Sequence, residues 1–285
     1  MPGSACPFSP AATCLSPATT VIIRTMEILL VGYGKMGKEV EAVCTARGHK
    51  VLARVDPVSG EHGEITAELA AKADCAVEFS VPDAVVRNAR RYAEFSLSAV
   101  VGTTGWYDEL ETVEKTIKKG KAGYLFGSNF SIGAQLFYRL VAAAVQLMNP
   151  FPEYDVAALE IHHRHKKDSP SGTAQEIARI IVENSLRKSS VTTEKLDRPI
   201  RENELHFASL RGGEFPGIHR VFFDSAADTV ELTHTARNRG GLALGAILAA
   251  EWLAGKRGFF KIDDFVDDVL TPGRSRSAAN RRQRG

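Results

Sequence analysis

Met26-Glu-Ile-Leu-Leu-Val-Gly-Tyr-Gly-Lys-Met-Gly37, followed by Asp56 at the end of the next apolar run, is the stretch that decides the fold. Glu27–Val31 is short and dense in Ile, Leu and Val, the pattern of a strand buried on both faces. Gly32-x-Gly34-x-x-Gly37 then opens a helical pattern that runs to Arg47 and stops at Gly48-His49. Glycines at this spacing permit a tight turn and let backbone N–H groups approach a pyrophosphate at a helix N-terminus. As a bare pattern the three glycines are a weak signal. Their weight comes from context: a strand before, a helix after, and Asp56 standing 19 positions beyond Gly37 at the end of the strand Val51–Val55. Asp56 is placed to accept hydrogen bonds from adenosine ribose hydroxyls, which favours NADH, whereas Lys35 and Arg54 stand near enough in sequence to tolerate the 2′-phosphate of NADPH.

The alternation continues outward. Cys75–Phe79 reads as a strand and Pro82 starts a helix to about Glu94. Ser98–Val101 leads into Gly102-Thr-Thr-Gly105, a helix follows over 107–119, and Gly123–Phe126 leads into Gly127-Ser-Asn-Phe130. Strands alternating with helices predict a Rossmann-type, doubly wound parallel sheet of the α/β class, with ligands beyond the carboxyl ends of its strands.

From Ser131 the character changes. A helix is expected over Ile132–Met148 and a strand over Asp155–Ile161. A helix from Thr173 and a polar connection over 188–203 follow. The β-rich runs Glu204–Leu210, Gly217–Phe223 and Thr229–Thr235 come next, and their succession predicts antiparallel pairing in a second, α+β domain. The helix expected over 241–254 is apolar almost all round and should be buried.

The chemistry concentrates in Glu160-Ile-His-His-Arg-His-Lys-Lys-Asp-Ser-Pro-Ser-Gly-Thr-Ala174. Three imidazoles, an Arg and two Lys precede what reads as a helix start. Thr173 and Glu176 stand at capping-box spacing, so Thr173 is expected to cap the helix and Gly172 to turn the chain. A helix end contributes only about 0.3–1 kcal/mol to holding an anion, up to about 2 when partly buried. A dianion therefore needs added charge, and Arg164, Lys166 and Lys167 are candidates. This arrangement suits a small anionic substrate that is protonated while held. Two other readings of the cluster stand beside this one. A metal site from His162, His163 and His165 is disfavoured because neighbours on a strand point to opposite faces and cations crowd the site; a solvated basic face is the bland alternative.

Composition sets limits. At 285 residues, 44% hydrophobic and 25% charged, the chain suits a water-soluble protein of one large or two medium domains. The formal net charge of +2 rests on basic ends, Arg24 and five Arg within residues 272–285; without those six, residues 26–271 carry −4. A nucleic-acid-binding body is not indicated, and no apolar run reaches membrane-spanning length. Cys6, Cys14, Cys44 and Cys75 show no paired spacing, which points to a reducing, cytoplasmic setting. Residues 1–25 lack the early positive charge and apolar core of a secretory signal. They read as an upstream extension, with a transit peptide as the alternative, and residues 272–285 read as a disordered basic tail.

At the His-rich run the sequence resembles the dihydrodipicolinate reductase (4-hydroxy-tetrahydrodipicolinate reductase) family. The similarity continues through Gly32-Tyr-Gly-Lys-Met-Gly37, Gly102-Thr-Thr-Gly105, Gly127-Ser-Asn-Phe-Ser-Ile-Gly133, Leu210-Arg-Gly-Gly-Glu-Phe-Pro-Gly-Ile-His219 and Thr233-His-Thr-Ala-Arg-Asn-Arg239. It spans roughly residues 26–271, in family order. The resemblance implies NAD(P)H-dependent reduction of a cyclic dicarboxylate to tetrahydrodipicolinate in lysine and diaminopimelate biosynthesis. It implies His162 as proton donor, Lys166 as its catalytic partner, and His163, Gly172 and Thr173 as substrate contacts. The implied cofactor segments are Gly32, Tyr33, Gly34, Lys35, Met36, Gly37, Asp56, Gly102, Thr103, Thr104, Gly127, Ser128, Asn129 and Phe130. It further implies a discontinuous dinucleotide-binding domain, 26–130 plus 241–271, and a substrate-binding domain, 131–240, whose sheet builds a homotetramer.

Several positions depart from the family pattern. Ser169 stands where Ala is usual and Lys35 where Arg is common. The glycine loop is one residue tighter than in many members. Asp56-Pro57 lacks a following Arg, and Leu242 replaces an aromatic. These leave the reaction intact and put the cofactor preference in question. Two other functions stay open at this stage: a related dehydrogenase acting on an amino acid or semialdehyde, and a nucleotide-sensing protein without catalysis.

Overall fold

A computed structural model describes residues 24–271. The basic tail and all of the expected extension except Arg24 and Thr25 lie outside the described residues. The chain runs β1 (Glu27–Val31), α1 (Lys35–Ala46), β2 (Lys50–Val55), α2 (Ala67–Lys72), β3 (Cys75–Glu78), α3 (Pro82–Phe95), β4 (Ala99–Val101), α4 (Leu110–Lys118) and β5 (Gly123–Phe126). It continues with α5 (Ile132–Met148), β6 (Asp155–His162), α6 (Gly172–Asn184), β7 (Ser190–Thr192), β8 (Glu204–Arg211), β9 (Ile218–Asp224), β10 (Thr229–Thr235), α7 (Gly240–Leu253), β11 (Gly258–Lys261) and α8 (Ile262–Leu270).

The first sheet has the order β11-β5-β4-β3-β1-β2, and every pairing in it is parallel. Its strands read as unbroken apolar runs because both faces are covered. In β1, Ile28 and Leu30 face a core built with α1, α7 and α8, whereas Leu29 and Val31 face a core built with α3 and α4. The chain order reverses between β1 and β3, which opens a crevice beyond their carboxyl ends.

Helix α7 is buried as its composition requires. It packs against α1 and over β3, β4 and β5, so the end of the chain returns to the first sheet. Burial of a side chain such as Ile247 or Leu253, both fully covered, contributes about 1.5–3 kcal/mol. A polar tie fixes the same helix. Arg47 donates to both oxygens of Glu251 at 2.7 and 2.9 Å, and His49 Nε2 lies 2.8 Å from the first of them.

The second sheet corrects the sequence reading. Its order is β10-β9-β6-β8-β7. Only β9 with β10 and β6 with β9 pair antiparallel; β8 pairs parallel to both β6 and β7. Strand β6 inserts between β8 and β9, so two strands consecutive in sequence are not neighbours. The loop joining them crosses the end of β6, where His163 N donates to Phe215 O at 2.8 Å and Gly212 N to His162 O at 3.0 Å. Helices α5 and α6 cover one face of this sheet around Phe207, Val221 and Phe223. Elements α2, β7 and β11 are too short to carry a periodic signal, whereas α8 has one, with Ile262, Phe265, Val266 and Val269 at helical spacing, that the sequence reading missed.

Candidate active site

The glycine turn sits at the carboxyl end of β1. Gly32 has φ +86°, and a Cβ there would lie 2.2 Å from the Phe79 carbonyl oxygen, so the fold itself demands glycine. Gly34 differs. A Cβ on it would meet nothing within 4 Å, and as the N-cap of α1 it leaves the first N–H groups of that helix without a side-chain partner. The space its missing side chain leaves, at a bare helix N-terminus, fits a pyrophosphate. Gly32, Gly34 and Asp56 line one cavity of about 360 Å³ together with Phe79, Ser80 and Arg87.

Asp56 is held rigidly. Its Oδ1 accepts from Val58 N at 2.9 Å and Ser59 N at 3.0 Å, and its Oδ2 accepts from Tyr33 N at 2.8 Å. The Tyr33 N–H bond, helped by those from Ser59 and Val58, lowers its pKa against the opposing effect of burial. One acceptor site on Oδ2 is left for a ribose hydroxyl. Nearby, Ser80 N donates to Thr103 Oγ1 at 2.8 Å, which fixes the Gly102–Gly105 turn against the end of β3. Phe130 is buried in the core beneath α7.

Strand β6 delivers His162 at its last position. The side chain is 9% exposed, and Nδ1 lies 3.2 Å from Glu160 Oε2. The distance suits an ion pair, although the angle leaves Nδ1 without a hydrogen-bond partner among the described residues. Burial drives the His162 pKa down to about 4; Glu160 opposes this, and His219, Lys166 and Arg211 reinforce it. The imidazole is therefore neutral near pH 7 in this form of the protein.

Glu160 is fully buried and ringed by donors. Ser171 N reaches it at 3.0 Å, Ser209 Oγ at 2.8 Å and Arg211 Nη2 at 2.7 Å, and the Ser171 hydroxyl also donates to it. Burial alone would raise its pKa, but His219, Ser171, Arg211 and Ser209 together hold it well below the ordinary carboxylate range. The sheet register sets up this contact. Ser209, Glu160, His219 and His234 stand opposite one another across β8, β6, β9 and β10.

The helix start corrects the expected cap. Ser171, with extended backbone at φ −68° and ψ 158°, is the N-cap of α6, and its hydroxyl accepts from Ala174 N. Thr173 is already inside the helix. Its hydroxyl accepts from Asn129 Nδ2 at 3.3 Å and so ties the turn after β5 to α6.

A second cavity, of about 500 Å³, gathers His162, His163, Lys166, Thr173 and Asn129 with His219, His234 and Arg239. Lys166 Nζ pairs with Asp168 Oδ1 at 2.8 Å. Arg164 and His165 are mostly exposed and pair with Glu214, which itself lines the cavity, at 3.4 and 3.8 Å, and Lys167 is exposed, so of the three expected cations only Lys166 is in the lining. Leu242 also lines it. The residues that converge within 4.8 Å are Glu160, His162 and His219 rather than three sequential histidines. Arg211, Ser171 and Ser209 already engage that carboxylate, which makes it a poor donor to a dication.

Sequence reading passed over Glu160, Ser171, His219 and Asp168. Ser171 had a legible signal, because Ser before a helix is a preferred N-cap. Glu160 and His219 lie 59 positions apart in sequence, and only the sheet register brings them together.

Comparison with known proteins fits this geometry. Residues 26–130 match the family described as dihydrodipicolinate reductase, N-terminus, and residues 133–266 match dihydrodipicolinate reductase, C-terminus. The chain is 36% identical over 245 residues to the 4-hydroxy-tetrahydrodipicolinate reductase of Christiangramia forsetii, covering 86% of this chain and 99% of that one. It is 34% identical over 255 residues to the same-named protein of Archaeoglobus fulgidus, covering 82% and 96%. A dipicolinate-bound dihydrodipicolinate reductase from a Paenisporosarcina species shares the fold, with TM-score 0.68 and 22% identity over 84% of this chain and 99% of that one.

Proposed function

The chain belongs to the dihydrodipicolinate reductase family, and from that premise we propose that it reduces 4-hydroxy-tetrahydrodipicolinate to tetrahydrodipicolinate with a reduced nicotinamide cofactor, in lysine and diaminopimelate biosynthesis: the 4-hydroxyl leaves as water, and the ring double bond so formed takes the hydride at one carbon and a proton at the next. The observation that carries this reading is the cavity in which His162, His163 and Lys166 face Thr173 at the start of α6. Cationic groups and a helix N-terminus there suit a ring dicarboxylate.

A bound nicotinamide would supply the hydride, with the dinucleotide held at Gly32–Gly37 and Asp56 and supported by Gly102–Thr104 and Gly127–Phe130. The N–H groups at Gly172 and Thr173 take one carboxylate, Lys166 supplies positive charge, and His163 supplies a hydrogen bond to the dianion. His162 holds a proton over the substrate and delivers it to the ring carbon next to the site of hydride addition. A neutral imidazole is a poor acid, so the dianion has a second task. Its charge beside His162 favours the imidazolium, and Glu160 3.2 Å behind the ring favours it too. The proton is thus loaded as substrate binds. Lys166 stabilises the charge that develops on the substrate.

NADH is the proposed preference, on the strength of Asp56. Homotetramer formation is proposed from the second sheet. Its face opposite α5 and α6 carries Leu159, Ile161, Leu210 and Phe222 with no helix over them among the described residues, and Leu210 is 53% exposed. The proposed setting is the cytoplasm; among the described residues no helix is long and apolar enough to cross a membrane.

The test is absorbance-monitored NADH oxidation with freshly generated substrate. Wild type should turn over, and His162→Gln should lose about 10²–10⁴ in kcat while KM changes far less. An undiminished rate in the variant removes His162 as donor, and no turnover by wild type removes the reaction itself.

A further inference from the structure

Beside the adenosine end of the cofactor cleft, the structure holds a basic side chain that is clamped between two acids. Arg54 lies on β2, two residues before Asp56, which directly follows the strand. Its guanidinium stacks 5.4 Å from the Tyr33 ring, within the glycine turn itself. Each of its three nitrogens donates to a carboxylate, three of the five N–H groups in all. Nη2 and Nε go to the two carboxylate oxygens of Glu41 on α1, and Nη1 goes to Glu61 Oε1 at 2.5 Å. The Tyr33 hydroxyl donates to the same Glu41 carboxylate, and the Arg54 backbone carbonyl receives Glu61 N at 2.9 Å. Arg54 thus carries one positive charge between two negative ones. Asp56 adds a third acid with no cation partner among the described residues, and Glu64, paired with Arg91 at 3.6 Å, lines the same cavity, as does Arg87.

A 2′-phosphate would bring two further negative charges to this place, and the guanidinium that stacks on the glycine turn is already held by two carboxylates. We propose that Glu41 is a specificity-determining residue: by clamping Arg54 against Tyr33, with Glu61 as second jaw, it makes the site select NADH over NADPH. This inference rests on the dinucleotide-binding reading above and names the residues that tune it. Asp56 accepts the ribose hydroxyl directly. Glu41 and Glu61 touch no part of that hydroxyl's site and act by withholding Arg54.

The experiment measures dissociation constants of NADH and NADPH by nicotinamide fluorescence, with kcat/KM for both beside them, in wild type and in Glu41→Gln, Glu61→Gln, Arg54→Ala and Glu41→Gln/Arg54→Ala. Gln at 41 keeps an acceptor for the Tyr33 hydroxyl while removing the charge that holds Arg54. Wild type should bind NADH at least about tenfold more tightly than NADPH. Glu41→Gln should tighten NADPH by about tenfold or more, the size expected of one charge-assisted hydrogen bond, with NADH unchanged within about twofold. Glu61→Gln should show a smaller gain of the same sign. The gain should vanish when Arg54→Ala is added, and Arg54→Ala alone should leave NADPH binding as weak as in wild type.

The proposal is overturned if Glu41→Gln leaves the NADH to NADPH ratio unchanged, if the gain survives without Arg54, or if Arg54→Ala by itself weakens NADPH, which would mean that Arg54 already serves the phosphate. Failure of wild type to bind either dinucleotide would instead sink the reading of the cleft. Binding without turnover would sink the proposed reaction and leave the specificity measurement intact.

Discussion

Glu160 Oε2 lies 3.2 Å from His162 Nδ1, and the other oxygen of the same carboxylate takes Arg211 at 2.7 Å. Two residues on one face of β6 thus place a permanently ionised acid behind the imidazole, while Arg211, Ser171 and Ser209 keep that acid from being neutralised.

Removing the charge with the shape kept should show what Glu160 does for His162. An opposite charge at this range favours the charged imidazole by about 1–3 pKa units, so Glu160→Gln should lower kcat by about tenfold or more. The limb of the kcat profile that reports the protonated acid should move to lower pH, with substrate affinity less affected. Thermal melting controls for loss of fold, and Glu160→Asp should recover part of the rate. An unmoved pH limb would show that the carboxylate serves only to hold the sheet.

Ligand binding should load a proton. With its pKa depressed to about 4, chiefly by burial, His162 is neutral between pH 6 and 8, and a bound dianion favours the charged form. Binding of pyridine-2,6-dicarboxylate should therefore take up protons from solution. Calorimetry in buffers of different ionisation enthalpy reads this directly, and the uptake should fall sharply in His162→Gln. Proton release on binding would contradict the assigned sign.

Gly217 guards the other edge of the ring. A Cβ there would sit 3.0 Å from His162 Nε2, and its φ is +145°. Gly217→Ala is expected to push the imidazole aside and cut kcat by about 10²-fold, since a misplacement near 1 Å can cost that much. Dinucleotide binding, read by fluorescence, should stay within about twofold, because Gly217 belongs to the other cavity.

The tie between α7 and the turn from α1 to β2 should matter for stability and leave chemistry alone. Glu251→Ala removes the partner of Arg47 and of fully buried His49, and should cost about 1–3 kcal/mol in denaturant unfolding. KM for the cofactor should hardly change. A loss below about 0.5 kcal/mol would place this network with the weak surface pairs.

The legible part of this protein was the part written in short-range pattern. Gly32, Gly34, Gly37 and Asp56 could be read because a turn, a helix start and a strand end impose local spacing. Helix Ile132–Met148 and strand Gly123–Phe126 were bounded correctly because their caps and flanking turns are adjacent in sequence. The assignment of Thr173 as cap failed because two hydroxyls stand within three residues, and only backbone torsions separate the extended Ser171 from the helical Thr173.

By itself, then, the amino-acid order determined a doubly wound parallel sheet, a mostly apolar helix α7 that had to be buried, and a cationic, imidazole-rich segment before a helix. Tertiary structure alone decided the order β10-β9-β6-β8-β7, and with it the meeting of Glu160, His219 and His162. It also turned Arg164 and His165 outward and locked Arg54 between Glu41 and Glu61. The physical reason is range. Periodicity and capping act over a few residues, whereas strand order and buried ion pairs are settled by which surfaces can be dehydrated together, a comparison among segments far apart in the chain.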